Sequence, residues 1–355
     1  MKIIQEIAEN LEKLKEKGLF RETKIMPKFK EDFSSNDYLS LGKSMRARLW
    51  LLYGIIFYGK SRSSSKYLNG YSKIHKKLEE TVANTYKTDK SLIFSSGYLA
   101  SIGVLQGICN SETIILADRH IHASWVDASF AVKTRIIRYH HNDVEHLEEL
   151  LLKYNFRSKN NNGNKEYNQE NFKSARLIIL TETVFSMQGT VIDLQKYVNI
   201  AKKFGAIIVV DNAHGLGVVK QIHAEYSLLL HVGTFSKACG GFGGYVCGNK
   251  VLVQSISNLG RTQIYSTVLP EYLLFYNMMA FKFACKITGK MLLKAKKIAE
   301  KYCLEFKGSA ILIKEFESIN TAYEFQKELI DEGVYVPVIR QPTVPKPIVR
   351  FSICL

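Results

Sequence analysis

Short apolar runs rich in β-formers punctuate the middle of the chain: SLIF at 91–94, TIILAD at 113–118, RIIRY at 135–139, ARLIILTE at 175–182 and AIIVVD at 206–211. Between them, stretches such as HLEELLLKY and LQKYVNIAKKFG repeat their apolar residues at helical spacing. Strands alternating with helices predict an α/β fold, a mostly parallel central sheet wrapped by helices. Ligands of such sheets sit beyond the carboxyl ends of the strands. The polar residues that directly follow these runs are therefore the first candidates for chemistry: Asp118 to His122, Glu182, and Asp211 to His214.

Beyond about residue 270 the strand signals thin, long helical segments follow, and GVYVPVIRQPTVPKPIVRFSICL brings back β-branched residues and prolines. This change predicts a large domain over 45–270 and a small α+β domain over 271–355. Residues 1–44 form an arm that completes the small domain. The Asn-rich segment 157–173 reads as an exposed loop insertion, and the chain has no internal repeat.

Composition narrows the function. At 355 residues and 46% hydrophobic, the chain buries a large core. The net charge of +16 is spread along the sequence without a zinc-finger or RNP-type motif, so it reads as a lysine-rich surface that attracts anionic substrates and not as a nucleic-acid footprint. The six cysteines show neither a CxxC pair nor metal-ligand spacing, which predicts reduced thiols, no metal and a cytoplasmic setting. The amphipathic N-terminus is unlike a signal peptide. No apolar run reaches membrane-spanning length, so no membrane partner is expected.

Three stretches carry candidate chemistry. In HVGTFSKACGGFGG (231–244) a lone amine, Lys237, lies among small residues where backbone can approach closely. Asp211 ends an apolar strand, and a carboxylate at that depth calls for a cationic partner. A protonated pyridine nitrogen is one such partner, and with an imine-forming amine it points to pyridoxal phosphate. An Asp capping the next turn is the plainer alternative. SSGYLAS (95–101) follows a strand run and opens a helix. The backbone at Ser96, Gly97 and Tyr98 is either a phosphate cradle or an ordinary helix start. His122, in DRHIHAS, either stacks on a flat ring or is a hydrogen-bonded loop histidine.

In order, the chain reads FSSNDYLSL (33–41), NGYSKIHKKLEE (69–80), SSGYLAS, DRHIHAS, TETVFSMQG (181–189), DNAHGLGV (211–218), GTFSKACGGFGG, QIYSTVLP (263–270) and IRQPTVP (339–345). This series resembles the α-oxoamine synthase family of fold-type I, aspartate aminotransferase-like pyridoxal-phosphate enzymes, from about residue 33 to the end. FSSNDYL, HNDVEHL (141–147), VFSM and IRQPTVP are most similar to the branch that condenses L-alanine with a pimeloyl thioester.

The resemblance implies that Lys237 holds the cofactor and then removes the substrate α-proton. Asp211 pairs with the pyridinium nitrogen, His214 and Ser186 lie near the phenolic oxygen, and His122 stacks on the ring. Ser96, Gly97, Tyr98 and Thr234 contact the phosphate, with Ser266 or Thr267 reaching across a homodimer interface. Arg350 holds the amino-acid carboxylate, and Arg21, Asn36, Arg340 and Thr343 lie near the substrates. The acyl carrier is coenzyme A or a carrier protein. A sister synthase taking glycine or serine, and a catalytically impaired binding protein of the same fold, are the alternatives.

The chain departs from the family pattern in three places. KSRSSSKYLNG (60–70) replaces a glycine-rich segment, and Asn212 and Gln188 replace acidic residues. Relatives also continue past RFSICL, which lowers the expected stability of the small domain.

Overall fold

The computed structural model describes residues 2–23, 25–160, 176–220 and 224–355. Two compact units divide the chain. One comprises Met1–Ser34 and Ile313–Phe351, the other Ser35–Leu312 and Ser352–Leu355.

The chain opens with α1 (Lys2–Glu16) and the short strand β1 (Glu31–Asp32). In the large unit it continues through α2 (Met45–Tyr58), α3 (Lys73–Tyr86), β2 (Lys90–Phe94), α4 (Gly97–Ile108), β3 (Thr113–Asp118), α5 (Ala123–Ala131), β4 (Ile136–Tyr139) and α6 (Val144–Asn160). Then come β5 (Arg176–Glu182), α7 (Leu194–Phe204), β6 (Ile207–Asp211), β7 (Leu229–Thr234), β8 (Gly244–Gly248), α8 (Lys250–Leu259), α9 (Arg261–Ile264), α10 (Glu271–Lys286) and α11 (Lys290–Lys301).

The seven strands of the main sheet run in the order β2-β8-β7-β6-β5-β3-β4. The pairs from β7 to β4 are parallel, while β8 is antiparallel to both of its neighbours. The five runs read from the sequence are β2 to β6. The strands β7 and β8 lie in segments whose glycines and chemistry-bearing residues masked the strand pattern.

Successive residues of a strand face opposite sides of its sheet, and here both sides are buried. Ile207 and Val209 of β6 enter one core cluster with Ile115, Ile178 and Leu180. Ile208 and Val210 enter the other with Leu116, Leu177 and Ile179. Continuous apolar runs follow from this double burial.

Helix α6 reaches Asn160, so the start of the segment read as a loop at 157 continues a helix. Residues 161–173 lie outside the described residues. The large unit extends to Leu312, past the boundary expected near 270, because α10 packs on α2 and α3.

The unit that contains the N-terminal arm pairs β1 in parallel with β10 (Val334–Tyr335). It also carries α12 (Ile319–Asp331) and the sheet β11-β12-β9, built from β9 (Ile311–Glu315), β11 (Val338–Ile339) and β12 (Ile348–Ser352). The arm and the C-terminal segment thus fold together, from Met1 to Ser34 on the N-terminal side.

The serine-rich 60–70 segment closes with a π-turn over Lys66–Gly70, and Ser63 takes φ +51° where a glycine is easiest. Lys66 Nζ meets Glu79 Oε1 at 2.6 Å, both side chains nearly buried. Burial raises the proton affinity of Glu79, but His75 and Lys66 together hold its pKa below the ordinary 4.5. Removing one partner of a buried pair strands the other. Lys66→Met is therefore expected to cost about 3–5 kcal/mol at pH 7. A carboxylate with a depressed pKa contributes stability above its unfolded pKa and loses it as pH falls. The deficit should accordingly shrink below about pH 4.5, as urea denaturation of both proteins at pH 7 and pH 4 would show.

Candidate active site

The polar residues picked from strand ends gather along one edge of the main sheet. Ser96 and Gly97 follow β2, His122 follows β3, and Glu182, Asp211 and Thr234 end β5, β6 and β7. Glu182 and Asp211 are register partners on adjacent strands.

Asp211 is buried, and both of its oxygens accept hydrogen bonds. The indole Nε1–H of Trp125 donates to Oδ2 at 2.9 Å, and the Ala213 N–H donates to Oδ1 at 2.9 Å. These donors fix the direction of the carboxylate. Next along the turn, buried His214 lies between two partners. Its Nδ1 is 2.6 Å from the Tyr38 hydroxyl and its Nε2 is 2.7 Å from Lys237 Nζ. Lys237 itself is half-buried in the loop after β7. Tyr38 is held by a tight turn in which Asp37 accepts the Leu41 and Gly42 N–H groups.

His122 caps α5, its Nδ1 accepting the Ser124 N–H at 3.2 Å. That bond uses the lone pair of Nδ1 and places the proton of the neutral ring on Nε2. Desolvation, then the Lys237 charge, hold its pKa below the usual histidine value. The imidazole at the start of α5 therefore favours its neutral form. The His122 N–H donates to Glu182 Oε1 at 2.6 Å.

At the start of α4, Ser96 accepts the Leu99 N–H, while the N–H groups of Gly97 and Tyr98 lie in the first turn, where no helical acceptor exists. A Cβ on Gly244 would meet Ser96 O at 2.6 Å and Gly97 Cα at 2.7 Å. Only glycine lets β8 pass this close to the helix start. The Thr234 hydroxyl donates to Gly243 O at 2.7 Å and meets Ser236 Oγ at 2.8 Å, bracing the loop that carries Lys237. The Tyr98 side chain is exposed and its hydroxyl donates to Asp127.

The remaining predicted residues lie on further segments of the chain. Ser186 is buried just past β5. Asn36 accepts from the Tyr38 and Ser352 hydroxyls at 3.3 Å and 3.4 Å. The Thr267 carbonyl accepts from Ser95 Oγ at 3.1 Å. In the other unit, Arg350 is buried on β12, and Arg340 Nη2 donates to Phe20 O at 3.3 Å. There Arg21 lines an open groove of about 810 Å³ with Leu11, Leu14, Phe20 and Pro342, and Thr343 is exposed nearby in sequence.

The two single-residue departures fare differently. Asn212 Nδ2 donates to Tyr86 OH at 2.5 Å, whereas Gln188 Oε1 is buried without a hydrogen-bond partner. Tyr38 and Trp125 were not legible as site residues. Asp118, flagged by its place after β3, is explained structurally, since it accepts from His120 N, Asn142 N and His141 Nδ1. His140, Asp143 and His146 bring possible metal-ligating atoms within 4.8 Å of one another. His146 Nδ1, however, accepts the His140 N–H, which leaves its neutral ring no lone pair for an ion.

The arrangement fits pyridoxal phosphate. It joins a buried carboxylate braced by two N–H donors, a flat imidazole, an amine beside a histidine, and a glycine-lined helix start for a phosphate. Fold and site together define a pyridoxal-phosphate-dependent transferase.

The chain belongs to the aminotransferase class I and II family, whose model matches residues 29–355, and within it to the α-oxoamine synthases. It is 31% identical over 371 residues to the 8-amino-7-oxononanoate synthase of Citrifermentans bemidjiense, covering 96% of this chain and 91% of that protein. The solved 8-amino-7-oxononanoate synthase of Francisella tularensis superposes with TM-score 0.72 at 23% identity, over 91% of this chain and 92% of that one. Serine palmitoyltransferase of Sphingomonas wittichii superposes with TM-score 0.81 at 23% identity, over 99% and 92%. The two structural likenesses establish the shared fold.

Proposed function

We propose that this chain catalyses the decarboxylative Claisen-type condensation of L-alanine with a pimeloyl thioester, giving 8-amino-7-oxononanoate, carbon dioxide and free thiol. The observation that carries the reading is the 31% identity, over nearly the whole chain, to a protein of that name. Bound pyridoxal phosphate supplies an electron sink for the charge left when the amino acid loses its α-proton.

The protein's own groups do the rest. Lys237 takes the proton from the α-carbon, and His214, within 2.7 Å of its Nζ, orients the amine. Asp211 would pair with the ring nitrogen of the cofactor, and the His122 imidazole would stack on its ring. The N–H groups of Gly97 and Tyr98, with the α4 dipole behind them, bind the phosphate. Arg350 binds the amino-acid carboxylate, and Arg21, Asn36, Arg340 and Thr343 serve the acyl substrate.

A second reading, a sister synthase that takes serine or glycine, draws on the high TM-score with serine palmitoyltransferase. Visible difference spectra of the holoenzyme separate the two. L-alanine is expected to change the cofactor band at lower concentration than glycine or L-serine, and the reverse order would favour the sister reaction.

The working form is a homodimer in the cytoplasm. Met45, Leu49, Leu52 and Ile56 form an exposed apolar stripe at helical spacing on α2, a surface that a partner of the same kind would cover. All six cysteines are free thiols, and among the described residues no helix is long and apolar enough to cross a membrane. Ile56→Asp is expected to shift the sedimentation coefficient to that of a monomer. An unchanged dimer would place the interface elsewhere.

A further inference from the structure

Two carboxyl groups end neighbouring strands at this site, and only one of them has an assigned task. Glu182 and Asp211 face each other in register on β5 and β6. Glu182 is 2% exposed and Asp211 is 8% exposed. Side-by-side carboxylates in such a setting do not both ionise cheaply. Their hydrogen bonds decide where a single charge rests. Asp211 receives two N–H donors, one on each oxygen, whereas Glu182 receives one, from the backbone of His122.

We propose that the Glu182–Asp211 pair carries one negative charge, held on Asp211, and that Glu182 is a neutral positioning acid that fixes the loop bearing His122.

The charged groups around Glu182 agree with this assignment. Burial, the Asp211 charge and the more distant Asp118 on β3 push its pKa up, against the opposing pull of Lys237 and the His122 N–H. The bond to the His122 N–H sets where α5 begins, and thereby the attitude of the imidazole whose Nδ1 caps that helix. A lone charge on Asp211 also matches the single positive charge of a protonated ring nitrogen. An ionised Glu182 beside it would leave one buried carboxylate in excess. The inference rests on the cofactor reading of the site but not on which amino acid is taken.

Glu182→Gln and Glu182→Ala test it. The glutamine side chain is neutral, of nearly the same shape, and keeps a carbonyl oxygen for the His122 N–H. It is expected to hold kcat/KM within about threefold of the parent and to leave the pH midpoint of the cofactor absorption band in place. Alanine removes the acceptor and is expected to lower kcat/KM by about thirtyfold or more and to move that midpoint, because His122 is no longer fixed. Glutamine as damaging as alanine would overturn the proposal, since a charge on Glu182 would then be in use. Alanine as active as the parent would overturn it too, since nothing would then be positioned.

If the alanine variant fails to fold, infrared difference spectra of parent minus Glu182→Gln decide the matter without turnover. A protonated-carboxyl C=O band at neutral pH is the expected result, and carboxylate bands in its place contradict it.

Discussion

Lys237→Ala is expected to lower kcat by roughly three to four orders of magnitude, the largest loss any single substitution in this chain should cause. In the proposed reaction two tasks rest on the same amine, holding the cofactor and moving the α-proton, and Lys237 Nζ is the amine 2.7 Å from His214 Nε2. The protein should still fold, because Lys237 is half-buried on a loop braced independently by Thr234 and Gly243. Small external amines should restore part of the rate, since what is missing is a base and not a scaffold. A variant that keeps a tenth of the parent rate without added amine would remove Lys237 from the mechanism.

Asp211→Asn should cost roughly two to three orders of magnitude in kcat/KM. The amide keeps the shape and one acceptor oxygen for the Trp125 or the Ala213 N–H, at the expense of the other bond, so the fold should survive, as circular dichroism can verify. What disappears is the negative charge that, in the proposed reaction, would keep the ring nitrogen protonated. Without it the electron sink weakens, and the barrier to α-proton removal rises. Rates within threefold of the parent would show that the ring nitrogen finds its charge partner elsewhere.

The parts of this account legible in the sequence were those fixed by local pattern. β2 to β6 could be read because strands buried on both faces are continuous apolar runs, and Glu182, Asp211 and His122 stood out because they end or follow them. β7 and β8 escaped because the same residues build both strands and a glycine-bearing loop, so the β signal is diluted where the chemistry is densest. The boundary near 270 failed for a different reason. Helical spacing predicts that α10 exists but not that its partners are α2 and α3, some two hundred residues earlier.

Long-range contacts also hid two site residues. Tyr38 reaches His214 across 176 positions, and Trp125 reaches Asp211 across 86. Neither has a spacing that betrays it, and each became visible only when the turn at Asp37 and the start of α5 were placed beside β6. The role of Glu182 belongs to the same class, because its meaning depends on the neighbour that the sheet register supplies.

The most direct test of the central claim is product identification from a competition. Holoenzyme is given equal concentrations of L-alanine, glycine and L-serine with pimeloyl-CoA, and the products are read by mass spectrometry. The account predicts 8-amino-7-oxononanoate as the dominant product, with carbon dioxide and free coenzyme A in equal amount. A dominant product built from serine or glycine would contradict it and move the chain to a sister activity.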